Sequence, residues 1–297
     1  MAYDAGAFER IGFIGAGRVG SALSRALAGN GQRVVAVHSR SPARAHSLAA
    51  ALPGCIAAAS PQQVGDAADL VFLAVPDDAI AAVAASIRWR VGQAAVHCSG
   101  ALGLEALHAA SLQGAAAGAF HPLQLFADPT DVDPETAAGG LSRCAVAVEA
   151  GAGLQEALEA LASTLGARLM RVPPGGRAAY HAGSHYAAAF MCVLLAEGEA
   201  IFRRLGIEEG AGAWGLQALA RGTLDAVERS SPARAMAGVY ARGDAGTAAR
   251  HLEALDALDP RAGVLYRSLA LRSVALAVDA GRIDPARAAA LRALLGH

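Results

Sequence analysis

The chain has 297 residues, enough for one large domain or two ordinary ones, and its formal net charge is −1. Only 17% of the residues are charged, and no basic tract or acidic tail indicates a nucleic-acid partner or a membrane surface. All 25 basic residues are arginine, which excludes Schiff-base catalysis and a lysine general acid within this chain.

The cysteines do not follow a Cys-x-x-Cys pattern, so neither a zinc site nor a redox pair is predicted, and they are expected to be reduced thiols: Cys55, Cys98, Cys144 and Cys192. The segment Met1 to Arg10 contains acidic groups and no long apolar core, so no signal peptide is expected. The apolar run Tyr186–Ala196 is too short to span a bilayer. The sequence therefore predicts a soluble, cytoplasmic protein.

Strand and helix patterns alternate along the first half of the chain. The predicted strands are short apolar runs, at Arg10–Ile14, Val34–His38, Leu70–Val75, Ala94–Cys98, Ala117–Phe120, Cys144–Val148 and Arg168–Arg171. Helical segments are predicted between them, at Ser21–Ala28, Ala43–Leu52, Asp78–Arg88, Leu104–Ser111 and Leu154–Leu165. This alternation predicts an α/β fold with a doubly wound, parallel sheet.

The first strand ends in a glycine-rich turn, Gly15-Ala16-Gly17-Arg18-Val19-Gly20, and a helix follows it. Gly15 permits a tight turn, Gly17 lets a pyrophosphate approach the backbone, and Gly20 lets the helix pack on the strand. The free N–H groups at the helix start would face the phosphates. Because a second strand follows at βαβ distance, we predict a Rossmann dinucleotide site. The alternative is an ordinary glycine-rich turn.

The loop after the second strand predicts which dinucleotide binds. An NAD site usually places a carboxylate there, on the ribose hydroxyls. This chain instead has two hydroxyls and two guanidinium groups that suit a 2′-phosphate, on Ser39, Arg40, Ser41 and Arg44. We therefore predict NADP. A solvated loop that caps the next helix through Ser41-Pro42 is the alternative, and it is compatible with phosphate binding.

Other candidate residues follow strands whose carboxyl ends should meet at one edge of the sheet. Val75 and Pro76 would contact the cofactor through the backbone, while the next two acidic residues have the simpler role of capping a helix. Ser99 offers a hydroxyl to a carboxylate or carbonyl oxygen. His121 can act as a general acid or can tie two loops together by a structural hydrogen bond.

A break at Pro173–Gly176 divides the chain into a predicted dinucleotide-binding domain, residues 1–172, and an all-helical domain, residues 177–297. The segment Tyr180–Leu205 is predicted to be one long apolar helix, buried between domains or subunits. Polar residues recur at its start with spacings of three and four, at Arg177, His181, Ser184 and His185. These spacings favour contact with substrate or cofactor over a plain core role.

The chain resembles bacterial Rossmann-like proteins whose second domain is the domain of unknown function 2520, often described as NADP oxidoreductases of the deazaflavin-dependent type. The resemblance runs nearly end to end through Gly15–Gly20, His97–Ala101, Phe120–Phe126, Tyr180-His181-Ala182, Ala241–Asp244 and His251–Leu255. The family looks related to 3-hydroxyisobutyrate, 6-phosphogluconate and pyrroline-5-carboxylate-type enzymes. That relation implies that the helical domain dimerises and closes over the nicotinamide.

Several positions depart from the family pattern. Arg177 stands where the family usually has Lys, Ala189 stands where it has Asn, and Ala237-Gly238-Val239 replaces Thr-Gly-Pro. In related dehydrogenases, such a Lys and Asn serve the oxygen on the reacting carbon. Arginine can hold charge there but is a poor proton donor.

The residues support two main hypotheses. The first is an NADP-dependent oxidoreductase that moves a hydride between nicotinamide and a small C=O or C=N substrate. His121 or His181 would donate the proton, Arg177 would bind a substrate carboxylate, and Ser99 would complete the substrate site. The second is a protein that binds or senses NADP(H) without catalysis; a structural partner with an inactive cleft is a third. We expect a homodimer through the C-terminal domain and no metal.

Overall fold

The computed structural model describes residues 8–126 and 140–296. The chain divides after Ala188 into two compact units. An eight-stranded sheet lies in the first unit: β1 Ile11–Ile14, β2 Val34–His38, β3 Ile56–Ala57, β4 Leu70–Leu73, β5 Ala94–His97, β6 Ala116–Leu123, β7 Ala145–Ala150 and β8 Arg168–Arg171. The strand order is β3-β2-β1-β4-β5-β6-β7-β8. The α/β prediction is confirmed.

Strands β1 to β6 run parallel, whereas β7 pairs antiparallel with β6 and parallel with β8. The sheet is therefore mostly parallel, with two strands at one end running in the opposite direction. Strand β6 continues three residues beyond the predicted Phe120, because it pairs with β7 as far as Leu123. His121 and Pro122 consequently lie within a strand.

The first unit contains the following helices: α1 Arg18–Gly29, α2 Pro42–Ala50, α3 Pro61–Ala67, α4 Asp77–Ala85, α5 His108–Ser111, α6 Ala152–Thr164 and α7 Arg177–His185. Two 3₁₀ segments lie at Leu104–Leu107 and Gly140–Arg143. Helices α2 and α3 both begin with a serine whose hydroxyl accepts a backbone N–H, followed by proline in the first turn. Helix α3 and strand β3 were not predicted because both are short.

Apolar side chains fill both faces of the sheet in the first unit, as expected for central parallel strands. On one face, the Phe13 and Phe72 rings stack with centroids 5.0 Å apart, and Phe120 meets Phe72 edge-on at 5.6 Å. These rings hold β1, β4 and β6 in a fixed relation. The carboxyl ends of the same strands carry the candidate site residues.

Among its described residues, the second unit contains helices and no strands: α8 Ala189–Arg204, α9 Glu209–Arg229, α10 Pro232–Ala235, α11 Val239–Arg242, α12 Ala245–Leu258, α13 Pro260–Asp279 and α14 Pro285–Leu294. Its core forms where α12, α13 and α14 meet, around Leu252, Val274 and Leu291. Helices α8 and α9 pack on each other, and Gly198 lies against Leu216 at their crossing.

The predicted helix Tyr180–Leu205 is two helices, α7 and α8, which are separated by a turn at 186–188. No residue of α8 is buried, and Val193 and Leu194 are nearly half exposed. Among the described residues, the stretch Arg177–Arg204 has the length and mean hydropathy, 1.3, of a membrane-crossing helix. Length and composition alone are weak grounds for a membrane span, because a helix covered by a protein partner has the same character.

Candidate functional site

The turn between β1 and α1 has the geometry expected of a phosphate-binding loop. Gly15 has φ +114°, a conformation that favours glycine, and a Cβ there would collide with the carbonyl oxygen of Ala74. A Cβ on Gly20 would collide with the carbonyl oxygen of Gly15. Gly17 caps the helix without a side-chain hydrogen bond, and a Cβ there would meet no described atom within 4 Å. The N–H groups at the start of α1 are thus approachable by a ligand.

A cavity of about 390 Å³ lies beside this turn. Most of the predicted cofactor residues line it: Gly15, Ala16, Gly17, Ser39, Arg40, Ser41, Arg44, Val75 and Pro76. Arg18, Val19 and Gly20 lie in α1 but do not line the cavity. Sequence reasoning missed the remaining lining residues, which are Ile14, His38, Pro61, Ala74, Ala79 and Val83. The apolar members of this set would contact a ligand only through van der Waals surface.

The polar end of the cavity is formed by the loop after β2. The Ser41 N–H donates to Ser39 Oγ at 3.3 Å, and Ser41 Oγ accepts the Arg44 N–H at 3.4 Å. Arg40 and Arg44 are exposed, and within the described ranges neither forms an ion pair. Within the part of the chain that the structure describes, no carboxylate lines the cavity. The loop therefore presents two guanidinium groups and two hydroxyls without a charge that would repel a phosphate.

The Ser99 side chain joins the end of β5 to the start of α4. Its hydroxyl donates to Asp77 Oδ2 at 2.8 Å and accepts the N–H groups of Ala101 and Leu102, both at 3.1 Å. Ser99 is 6% exposed. The hydroxyl proton and two acceptor directions are thus engaged within the protein. Asp77 follows Pro76, which lines the cavity, so this hydrogen bond connects the chain beside the cavity to the loop after β5.

Arg177 is the largest fully buried side chain among residues 8–126 and 140–296, at 2% exposure. Its Nη2 donates to the Ser99 carbonyl oxygen at 2.6 Å, and Nη1 lies 3.6 Å from Glu149 Oε2 in an ion pair. The Arg177 Nε and Nη1 atoms and Glu149 Oε2 have no hydrogen-bond partner among the described residues. The guanidinium group is therefore a buried cation beneath the loop that contains Ser99.

Histidine rings surround Gly100, the residue after Ser99. A Cβ on Gly100 would lie 2.6 Å from His181 Cδ2 and 2.9 Å from His121 Nε2, so only glycine fits between the rings. The ring centroids of His121 and His181 are 5.9 Å apart, and the rings are nearly perpendicular. His121 Nδ1 is 2.8 Å from the Tyr180 hydroxyl oxygen. The structure thus brings His121, His181 and the loop of Ser99 together.

Ser184 and His185, near the end of α7, form side-chain hydrogen bonds to the backbone of the same helix. Ser184 Oγ and His185 Nδ1 both donate to the His181 carbonyl oxygen, at 2.7 and 2.9 Å. The His185 ring also stands perpendicular to that of His181, with centroids 4.7 Å apart. These contacts of Ser184 and His185 help to hold His181 in position.

Burial sets the protonation states in this cluster. It lowers the pKa of His121 to about 4, with smaller electrostatic contributions from Arg177 and His181. Burial and Arg177 likewise lower the pKa of His97, a buried residue of β5, to about 4. Burial raises the pKa of the Tyr180 hydroxyl. At neutral pH the rings of His121 and His97 are therefore uncharged, and a neutral His121 is a weak acid by itself.

Several neighbours of the cluster were not singled out as site residues from the sequence: Asp77, His97, Gly100, Glu149 and Tyr180. Glu149 could have been noticed, because it is the only charged residue in the otherwise apolar strand Ala145–Ala150. Gly100 carries no such signal, since its importance comes from two rings that are distant in sequence. Among the described residues, no group of His, Cys, Asp and Glu side chains is arranged to hold a metal.

Two family models match the chain. Residues 6–122 match the Rossmann-like domain, and residues 144–273 match the domain of unknown function DUF2520. The combination predicted by the resemblance is thus confirmed at the level of its domains. The relation to deazaflavin-dependent proteins and to 3-hydroxyisobutyrate-type dehydrogenases stays a prediction. No functionally curated protein matches the chain.

Solved structures share the fold along nearly the whole chain. A proposed NADP oxidoreductase from Bacteroides fragilis is 25% identical, with a TM-score of 0.69 over 90% of this chain and 97% of that one. A protein from Thermotoga maritima is 21% identical, with a TM-score of 0.74 over 92% and 100% of the two chains. A reductive aminase from Aspergillus terreus, solved with NADPH and ethyl-5-oxohexanoate, is 15% identical, with a TM-score of 0.59 over 97% and 92%.

Proposed function

We propose that this protein is an NADP-dependent oxidoreductase that transfers a hydride between nicotinamide and a small carbonyl or imine substrate. The observation that carries the proposal is the continuity of the site. Pro76 lines the cavity, Asp77 follows it in the chain and accepts a hydrogen bond from Ser99, and Gly100 lies beside the rings of His121 and His181. A dinucleotide that fills the cavity would bring its reactive end toward these histidines.

The choice of NADP is supported by the loop after β2. Arg40 and Arg44 offer charge-assisted hydrogen bonds to a 2′-phosphate, and Ser39 and Ser41 offer hydroxyls. The glycine turn and the start of α1 would hold the pyrophosphate. NADP in the name of the Bacteroides fragilis protein and NADPH in the reductive aminase structure agree with this choice.

The substrate class follows from the groups that face the site. His121 and His181 can donate hydrogen bonds or protons to an oxygen or nitrogen that gains charge as hydride arrives. Arg177 and the Ser99 hydroxyl are bonded within the protein, so we assign them to electrostatic support and loop positioning. This assignment replaces direct binding of a substrate carboxylate by Arg177, since such binding would require the buried guanidinium to leave its present contacts.

The same contacts favour a second candidate function, NADP(H) binding without catalysis. A cluster whose serine and arginine are both engaged internally can be a structural unit of a sensing protein. We also propose that the protein is a homodimer through its second unit. The support is the uncovered apolar surface of α8 and α9, where Val193, Leu194 and Trp214 are exposed.

The cofactor test compares Arg40→Asp with Arg33→Asp. Arg33 is exposed and precedes the first residue of β2, whereas Arg40 lies beyond its last residue, so the control introduces the same charge change away from the cavity. NADPH affinity, measured by calorimetry, should fall roughly 10- to 150-fold in Arg40→Asp, because a charge-assisted bond contributes about 1.5–3 kcal/mol. NADH affinity should change less. Equal losses for the two cofactors would refute the NADP assignment.

Catalysis is tested by NADPH oxidation with cyclohexanone plus allylamine, ethyl levulinate and 1-pyrroline as probes. Turnover of any probe at a rate above that of the protein-free mixture supports the oxidoreductase. Tight NADPH binding with no turnover of any probe supports the binding protein instead.

A further inference from the structure

The His121–Tyr180 pair has one engaged ring nitrogen and one that faces the site. His121 Nδ1 is 2.8 Å from the Tyr180 hydroxyl oxygen, and the rings are perpendicular with centroids 5.7 Å apart. The Nε2 atom lies on the side of Gly100. This atom has no hydrogen-bond partner among the described residues, and it is not completely buried by them. A ligand beside Gly100 could therefore reach Nε2.

The chemistry of the two groups gives the direction of this hydrogen bond. A phenol is a much stronger acid than a neutral imidazole N–H, and the unprotonated imidazole nitrogen is a good acceptor. Tyr180 therefore donates to Nδ1, and the ring proton of His121 is placed on Nε2. In this tautomer the proton points toward Gly100.

We propose that Tyr180 and His121 form a proton relay in which His121 Nε2 is the catalytic donor and Tyr180 positions and resupplies it. The proposal rests on the oxidoreductase function proposed above. As hydride arrives at the substrate carbon, the π electrons move to the oxygen or nitrogen, which takes the proton from Nε2. His121 Nδ1 takes the Tyr180 proton at the same time, and solvent later returns a proton to the phenolate.

The relay explains how a neutral histidine can act as an acid. His121 passes through neither an imidazolium nor an imidazolate, because it loses one proton as it gains another. The negative charge appears on Tyr180, three residues along α7 from Arg177 and on the same side of the helix. Burial raises the pKa of Tyr180, and the Arg177 cation, which attracts a phenolate, offsets part of that effect. The Arg177 Nε and Nη1 atoms have no hydrogen-bond partner among the described residues, while Nη1 lies 3.6 Å from Glu149 Oε2 in an ion pair. Other charged and titratable groups around His121 are Asp77, His97 and His181.

The first test measures the tautomer by ¹⁵N NMR of the histidine rings in the intact protein, with and without NADPH. His121 should carry its proton on Nε2, and Tyr180→Phe should increase the Nδ1–H form. The matched control is Tyr266→Phe, which removes a second His–Tyr hydrogen bond, the 2.7 Å contact to His251. That control should change the His251 signals and leave those of His121 unchanged. An Nδ1–H form of His121 in the parent would overturn the relay.

The second test measures proton transfer in turnover of whichever probe reacts. Tyr180→Phe should lower kcat roughly 10- to 100-fold, a smaller loss than the 10²–10⁴ usual for removal of the general acid itself. NADPH affinity should stay within twofold of the parent. Turnover with deuterated NADPH is then measured in mixtures of H₂O and D₂O and plotted against the deuterium fraction of the solvent. The plot should be curved for the parent, since two protons move, and straight for Tyr180→Phe, since one proton moves.

The two proposals fail in different ways. The relay is overturned if Tyr180→Phe turns over a probe as fast as the parent does, or if the parent's rate depends linearly on the deuterium fraction of the solvent. Either result leaves the proposed oxidoreductase function in place. Tight NADPH binding without turnover of any probe overturns the oxidoreductase and with it the catalytic role of the relay, whatever tautomer NMR finds.

Discussion

Gly100→Ala tests the packing of the histidine cluster most directly. The backbone at Gly100 does not have positive φ, so an alanine causes no conformational strain there, and the effect comes from the new methyl group alone. That group would meet His181 Cδ2 at 2.6 Å, His121 Nε2 at 2.9 Å and His121 Cε1 at 3.0 Å. The change therefore separates the two rings without removing any polar group.

The size of the effect follows from these distances. The His181 ring must retreat by about 0.8 Å to reach ordinary contact, and overpacking of this kind costs about 1–3 kcal/mol of unfolding free energy. A displacement near 1 Å at a reacting group can lower turnover roughly 10²-fold. NADPH affinity should change less than threefold or so, because Gly100 does not line the cavity.

The matched control is Gly183→Ala on α7, the helix that carries His181. A Cβ at Gly183 would meet no described atom within 4 Å, and alanine should stabilise the helix by about 0.5–1 kcal/mol. Urea unfolding, calorimetry with NADPH and turnover of the reactive probe are measured for both variants. A Gly100→Ala protein with parental turnover and unchanged His121 NMR signals would refute the close packing described above.

Two further predictions concern acid stability and assembly. His97 should lower the free energy of unfolding by about 3 kcal/mol between pH 6.5 and pH 4, because its pKa is about 4 when folded and 6.5 when unfolded, so protons favour the unfolded chain as pH falls. The pKa of His121 is lowered to the same value, so that residue adds a loss of its own. Urea unfolding at several pH values should show a larger loss of unfolding free energy in the parent than in His97→Gln. An equal loss in the two proteins would exclude His97 as a source. Light scattering at micromolar concentration should find a dimer of the parent. Val193→Asp should dissociate this dimer, whereas the control Leu112→Asp, at an exposed apolar position of the first unit, should not. A monomeric parent would contradict the assembly proposal.

The sheet could be predicted from the sequence because its central strands are buried on both faces and are bounded by turn residues. The run Leu70–Leu73 is fully buried, and it reads as a strand without any knowledge of its partners. Strand β3 and helix α3 have too few residues for periodicity to show. The Ser60-Pro61 pair was the available signal for α3, since Ser60 caps this helix as Ser41 caps α2.

The cofactor cavity was more predictable than the histidine cluster for a physical reason. Its glycine turn and its arginine–serine loop are local motifs whose residues are close in sequence. The cluster is assembled from long-range contacts: Ser99 with Arg177, which is 78 residues later, and His121 with Tyr180, which is 59 residues later. No spacing rule connects such pairs, so the sequence did not show that the Ser99 hydroxyl and the Arg177 guanidinium group are hydrogen-bonded within the protein.

Arg177 stands where the family that the sequence resembles usually has lysine, and this difference is consistent with the arrangement. An arginine does not deprotonate in proteins, so it cannot supply the proton that a reduced carbonyl or imine requires. Its burial against Glu149 and the Ser99 carbonyl instead keeps one positive charge at a defined place beside α7. In the proposed relay, proton transfer passes through groups that can lose and regain a proton: Tyr180 is hydrogen-bonded to His121, and His121 lies beside Gly100. In this arrangement the cation stabilises the phenolate that the relay creates, which gives the buried arginine a function that lysine chemistry would not require.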